Sequence, residues 1–259
     1  KILVMQKNSL IALLDCCFPN ANTLFTSPRR VSDGHEKWVD FVVKFPHVDS
    51  VAKLSLSAFK TKYQSWCKKE RYNYSESKAE QIHAYARTIV STLPMTEAVK
   101  KMISDAAKHL NSTLEALGTL HSEMDVLASQ LPEYDTVMNL FAVGKVTCSQ
   151  LIAEIGDVTK LKSSKSLVAM AGIDPPPNQS GKEDPKSRHI SKRGSPALRR
   201  TLFLIMTTYL KLQPADEPVY QFLDKKRAEG KPYKVYMIAA AHKFLRIYYA
   251  RVKEVMPAQ

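Results

Sequence analysis

The sequence predicts a mainly α protein, with a helical region over residues 1–94, a long coiled-coil helix over 95–132 and a compact helical C-terminal domain over 133–259. Glycine is scarce, 8 of 259 residues. Apolar residues recur three and four positions apart along most of the chain, the spacing that lines one face of a helix. From Val99 onward that spacing becomes a heptad seam held for more than four heptads and broken only by polar Thr113, the signature of a helix that pairs along its length.

Taken in order, "NSLIALLDCCF" is a helix stopped by Pro19, and "SPRRVSDG" belongs to a loop over residues 20–33. "HEKWVDFVVKF" places Trp38, Phe41, Val42 and Phe45 on one face, and "SLSAFKTKYQSWCKKE" does the same with Ala58, Phe59, Tyr63 and Trp66. Ser77 and Glu80 have the spacing of a capping box opening the next helix, and Pro94 closes it. The seam that follows runs Val99, Ile103, Ala106, Leu110, Thr113, Leu117, Leu120, Met124, Leu127 and Leu131, and Pro132 ends it. Its partner is a helix of the same chain or of a second one.

"LFAVGKVTCSQLIAEIGD" reads as helix, tight turn at Gly144, helix: the helix-hairpin-helix-like element. Backbone N–H groups at such a turn, with a helix N-terminus behind it, can hold a phosphate without reading sequence. An ordinary turn is the other reading of Gly144 and Lys145. "SSKSLVAMAGI" is a short helix broken by "DPPPNQSG". Ser195 and Pro196 start a strongly apolar helix as N-cap and first-turn residue. Arg199 and Arg200 near that start oppose the helix dipole, which points to an outside anion. "DEPVYQFLDKKRAEG" ends at Gly230. In the closing helix His242 lies on an apolar stripe of Val235, Ile238, Ala239, Leu245 and Tyr249, as a packed histidine rather than a ligand.

The net charge of +13 favours anionic partners such as nucleic acid. Residues 171–259 carry 17 Lys and Arg against 8 Asp and Glu, so the C-terminal third is the expected contact surface. The four cysteines form no C-x-x-C pair and read as reduced thiols of an intracellular protein. No apolar run approaches a membrane span and no signal peptide is visible. The chain opens on Lys1 inside a helical run, which reads as an excised fragment. Asp33, Asp40 and Asp49 read as solvated helix faces or caps, and no set of metal-binding carboxylates is expected.

Residues 178–200, "NQSGKEDPKSRHISKRGSPALRR", hold seven Lys or Arg and two acids beside four serines. Each phosphate neutralised by such cations releases counterions, so binding there should be strong and salt-sensitive. Ser195 has a structural explanation as a cap, and Ser191 has no evident task. Ser180, between Gln179 and Gly181 after three prolines, suits attack on a phosphodiester, although Q-S-G is also an ordinary turn. Residue types alone do not decide among the three.

The ordered set A-G-I-D-P, Q-S-G, I-S-K-R-G and L-R-R, with an apolar helix behind it, resembles the C-terminal domain of the insertion-sequence 110 family, the DEDD-type, bridge-RNA-guided transposases. "SPRRVSDGHEKWVDFV" and "YNYSESKAEQIHAYARTIVSTLP" resemble the middle region of one branch of that family. The resemblance implies DNA transposition guided by a structured RNA, with Ser180 forming a covalent serine–DNA phosphate intermediate. It implies Mg²⁺ in an N-terminal RuvC-like domain outside this stretch and none in this chain. It also implies DNA, guide RNA and further copies of the chain, as a dimer or tetramer, as partners, and a cytoplasmic protein of a bacterium or archaeon. Expected nucleic-acid contacts are Gly144, Lys145, Gly181, Lys182, Lys186, Arg188, Lys192, Arg193, Arg199 and Arg200. The alternative is a non-catalytic binding and oligomerisation module. One departure is that the G-I-G usual at the hairpin reads A-V-G-K here.

Overall fold

Serine and proline begin the helices where their chemistry allows it. The Oγ atoms of Ser55, Ser75 and Ser195 each accept a hydrogen bond from the backbone N–H three residues on, and Pro196 and Pro218 occupy first-turn positions that need no donor. The computed structural model describes residues 2–175 and 189–256. Among these lie twelve α-helices and no strand. The chain divides into two compact units, Lys1–Leu120 and His121–Gln259.

The first unit holds α1 (Ile2–Cys17), α2 (Lys37–Lys44), α3 (Asp49–Ala52), α4 (Leu56–Lys69), α5 (Glu76–Thr88) and the first three-quarters of α6 (Glu97–Ala128). Its core is aromatic: the Phe41 ring lies against those of Phe18, Phe25, Phe45, Tyr63 and Trp66. The cap of α5 is Ser75, two residues before the expected Ser77, because Ser75 has the extended backbone a cap requires and Ser77 already lies in the first turn. That helix ends at Thr88, well before Pro94.

Asp40 is not on a solvated face. It is 8% exposed and accepts hydrogen bonds of 2.6 Å from both Tyr72 Oη and Asn111 Nδ2. His35 Nδ1 and the Arg30 guanidinium lie at 3.1 and 3.4 Å from its carboxylate. A buried carboxylate is tolerable only with such partners. The pattern misleads because a short amphipathic helix buries nearly all of its circumference here.

The long helix is a single element of 32 residues. Within the first unit it buries Ile103, Ala107, Leu110 and Leu114, while Ala106 and Thr113 of the predicted seam are half-buried. A straight helix of 3.6 residues per turn drifts off a 3.5-residue seam, so packing into a core moves the buried line by one position. Farther on, Leu120 and Leu127 are 54% and 66% exposed.

The second unit packs α7 (Tyr134–Met138), α8 (Lys145–Ile155), α9 (Ser164–Met170), α10 (Pro196–Leu212), α11 (Pro218–Ala228) and α12 (Tyr233–Val255) around one core. Helix α12 is its axis and meets α7, α9, α10 and α11. It buries Met237, Ala240, Ala241, Phe244, Leu245, Tyr248 and Val252, whereas Val235 of the predicted stripe is 50% exposed. With apolar residues on nearly every side of this helix, spacing alone did not choose the face. Among the described residues no helix is long and apolar enough to cross a membrane.

Candidate nucleic-acid interface

Two chain segments, residues 170–174 and 191–195, lie against each other in the second unit. The N–H groups of Ser191, Lys192 and Ser195 donate to the carbonyls of Asp174, Gly172 and Met170 at 2.7, 2.9 and 2.7 Å. The approach is close enough that only glycine fits on either side. A Cβ on Gly194 would stand 2.0 Å from the Met170 carbonyl oxygen, and one on Gly172 would stand 2.6 Å from Gly194 N. Gly172 also has φ +61°, in the left-handed region.

Side chains lock this clasp. Ser191 Oγ donates to Asp174 Oδ1 at 2.7 Å, which gives Ser191 the task its sequence context did not reveal. Arg199 Nη1 donates to the Ala171 carbonyl at 2.8 Å. His242 Nε2 donates to the Ile173 carbonyl at 3.1 Å. Burial, reinforced by nearby Arg246, pushes the imidazole below its ordinary pKa, so the ring is a neutral structural donor, as its place on α12 predicts. Ser195 caps α10 and also donates to Glu154 Oε2 at 2.6 Å. Glu154 therefore brings negative charge to the start of α10 from within the unit, and Arg199 and Arg200 do not by themselves require an outside anion.

The clasp brings together the described residues on either side of positions 176–188. Ser180, Gly181, Lys182, Lys186 and Arg188 lie outside the described residues. Of the remaining predicted contacts, Lys192, Arg193 and Arg200 are exposed around the clasp, and Arg199 is half-buried in it. Lys192 takes φ 56°, unusual for a residue with a side chain. Lys243 and Arg246 line a depression of about 220 Å³ with His242; sequence reasoning singled out neither, since each reads as ordinary charge on a helix surface.

At the predicted hairpin, the left-handed residue is Ala142 (φ 65°), not Gly144. Gly144 is the extended N-cap of α8, with open space where a Cβ would point. The exposed Lys145 ammonium stands 3.8 Å from Asp125, whose carboxylate also accepts from Tyr134 Oη at 2.6 Å. That bond raises the phenol pKa to about 12. Among the described residues no group of three or more His, Cys, Asp or Glu is placed to hold a metal ion.

Residues 134–221 match the family described as Transposase IS116/IS110/IS902. The chain is 23% identical over 162 residues to the uncharacterized 43.6 kDa protein of insertion element IS110 from Streptomyces coelicolor, covering 62% of this chain and 39% of that protein. It is 28% identical over 166 residues to the pilin gene-inverting protein of Moraxella bovis, covering 61% and 49%. It is also 28% identical over 108 residues to the transposase for insertion sequence element IS1111A of Coxiella burnetii, covering 42% and 29%. The chain thus matches less than half the length of each of these relatives. The matched stretch contains the clasp and both motifs that build it. Through residues 134–221 this C-terminal unit is similar to the IS116/IS110/IS902 family of transposases.

Proposed function

We propose that this chain is the DNA-handling part of a transposase or site-specific recombinase, in which Ser180 is the nucleophile. The observation that carries the reading is the clasp. A-G-I-D-P and I-S-K-R-G, the motifs on either side of Q-S-G, pair through glycines that admit no side chain, and exposed cations surround them. In the proposed step Ser180 Oγ attacks a backbone phosphorus. An Oγ–P bond forms, one bridging P–O bond breaks, and the departing sugar oxygen receives the serine proton. A sugar hydroxyl of a second strand then reverses the step, rejoining DNA and restoring the serine, with no outside energy source. Lys192, Arg193 and Arg200, with Lys182, Lys186 and Arg188, offset the charge that develops on the phosphoryl oxygens.

The same reading takes a structured guide RNA as a second nucleic-acid partner and further copies of the chain as protein partners. The uncovered leucines of α6, Leu120 and Leu127, support pairing between copies. In the whole protein, Ser180→Ala should abolish recombination and the covalent protein–DNA adduct while leaving DNA binding intact. Retained recombination would favour the second reading, a binding and oligomerisation module whose chemistry lies elsewhere. Gly144 and Lys145 enter only as a backbone contact, because Asp125 already competes for the lysine.

A further inference from the structure

The first unit carries its own excess of charge, 17 Lys and Arg against 11 Asp and Glu over residues 1–120. Part of it is gathered in one groove. Two depressions of about 590 and 550 Å³ share Val43, Lys44, Ser50 and Lys62 as lining residues and so form a continuous surface. Lys69 lines the first and Lys101 the second. Lys44, Lys62, Lys69 and Lys101 are all exposed, and among the described residues none has a carboxylate within salt-bridge distance.

The acids of the groove do not cancel these charges. Asp40, one of its lining residues, is held by Tyr72, Asn111, His35 and Arg30. Glu97 pairs with Lys100 at 2.8 Å. Glu70 is the remaining acid, set against four unpaired lysines. On α4, Lys62, Ser65 and Lys69 line the groove while Phe59, Tyr63 and Trp66 are buried. The two lysines are seven residues apart, which places them about 10.5 Å apart along the helix axis. Lysines with interspersed hydroxyls are typical donors to phosphate oxygens and carry no sequence information.

We infer that this groove binds the sugar–phosphate backbone of duplex DNA, as a second contact separate from the clasp. The inference rests on the proposed reading that DNA is the substrate. A double helix suits the groove better than a single strand. Single strands are held by stacking bases on aromatic rings, and the one aromatic pair lining the groove, Phe45 and Trp66, is only 3% and 5% exposed. A duplex keeps its bases paired and presents phosphates alone. The contact is therefore indifferent to sequence and strongly dependent on salt.

Fluorescence anisotropy of the chain on a mixed-sequence DNA duplex, across a salt series, reads the contact. Replacing Lys44, Lys62, Lys69 and Lys101 with alanine should flatten the slope of log K against log salt by roughly 3.6, from four lysines at about 0.9 each. The circular-dichroism spectrum should stay that of wild type. If that variant fails to fold, Lys62→Gln with Lys69→Gln should flatten the slope by about 1.8. A slope unchanged in the lysine variants but flattened by Arg193→Ala with Arg200→Ala overturns the groove and leaves the clasp reading standing. No duplex binding by the wild-type chain overturns both. A loss confined to single-stranded DNA or duplex RNA overturns the assignment to duplex DNA.

Discussion

Ser191 Oγ donates to the Asp174 carboxylate at 2.7 Å and so ties together two motifs seventeen residues apart. The pair also carries a backbone bond, Ser191 N to the Asp174 carbonyl, at the same distance. Removing one side chain leaves that backbone bond, so the side-chain term can be isolated. Ser191→Ala and Asp174→Ala should each destabilise the second unit, and a double-mutant cycle should return a coupling of about 1–2 kcal/mol, as for a partly solvated bond to a charged acceptor. Urea denaturation checks it; additive effects would mean that the side chains do not support the clasp.

The glycines make a sharper contrast. Gly194→Ala would drive a Cβ to 2.0 Å from the Met170 carbonyl oxygen, backbone against backbone, with no side chain free to yield. A loss of about 3 kcal/mol or more is expected. Gly144→Ala meets nothing within 4 Å and leaves an ordinary φ of −113°. It should change stability by less than about 1 kcal/mol, the cost of a poorer cap. Thermal denaturation of the two variants side by side separates them.

Neighbouring arginines should fail in different ways. Arg199 donates into the clasp and Arg200 is exposed. Arg199→Ala should lower the melting temperature, at a cost of about 1–2 kcal/mol, because a carbonyl loses its partner. Arg200→Ala should leave the melting temperature unchanged and weaken DNA binding, with a salt slope less steep by about 0.9. Equal effects on melting would contradict the division of roles.

His242 gives the second unit a dependence on pH. Burial holds its folded pKa below the ordinary value of 6.5, so the unfolded chain binds the proton more readily than the folded one. Stability is full above about pH 6.5 and declines as pH falls from there towards the folded pKa. His242→Gln should flatten that part of the stability–pH curve. An unchanged curve would mean that the imidazole is not the group responsible.

Much of the architecture was legible because helix signals are local. Ser195 and Pro196 start α10 as their types require, and the Phe59–Tyr63–Trp66 face is buried as its spacing indicates. What sequence could not supply was contact between distant segments. Gly172 and Gly194 stand in separate motifs, and nothing in either says that the two backbones meet. Ser191 looked idle for the same reason. Asp40 resembled a solvated acid because its partners, Tyr72 and Asn111, come from 32 and 71 residues away. The charge count favoured the C-terminal third, yet the lysine groove gathers Lys44, Lys62, Lys69 and Lys101 from three helices and reads as scattered surface charge along the chain.

The central claim is that the clasp serves a serine between its two halves. Trapping the full-length protein on DNA and mapping any adduct by peptide mass spectrometry tests this most directly. The account predicts a nucleotide phosphate on the peptide containing Ser180, absent in Ser180→Ala and reduced in Gly194→Ala. An adduct on any other residue, or one that survives Ser180→Ala, would contradict it.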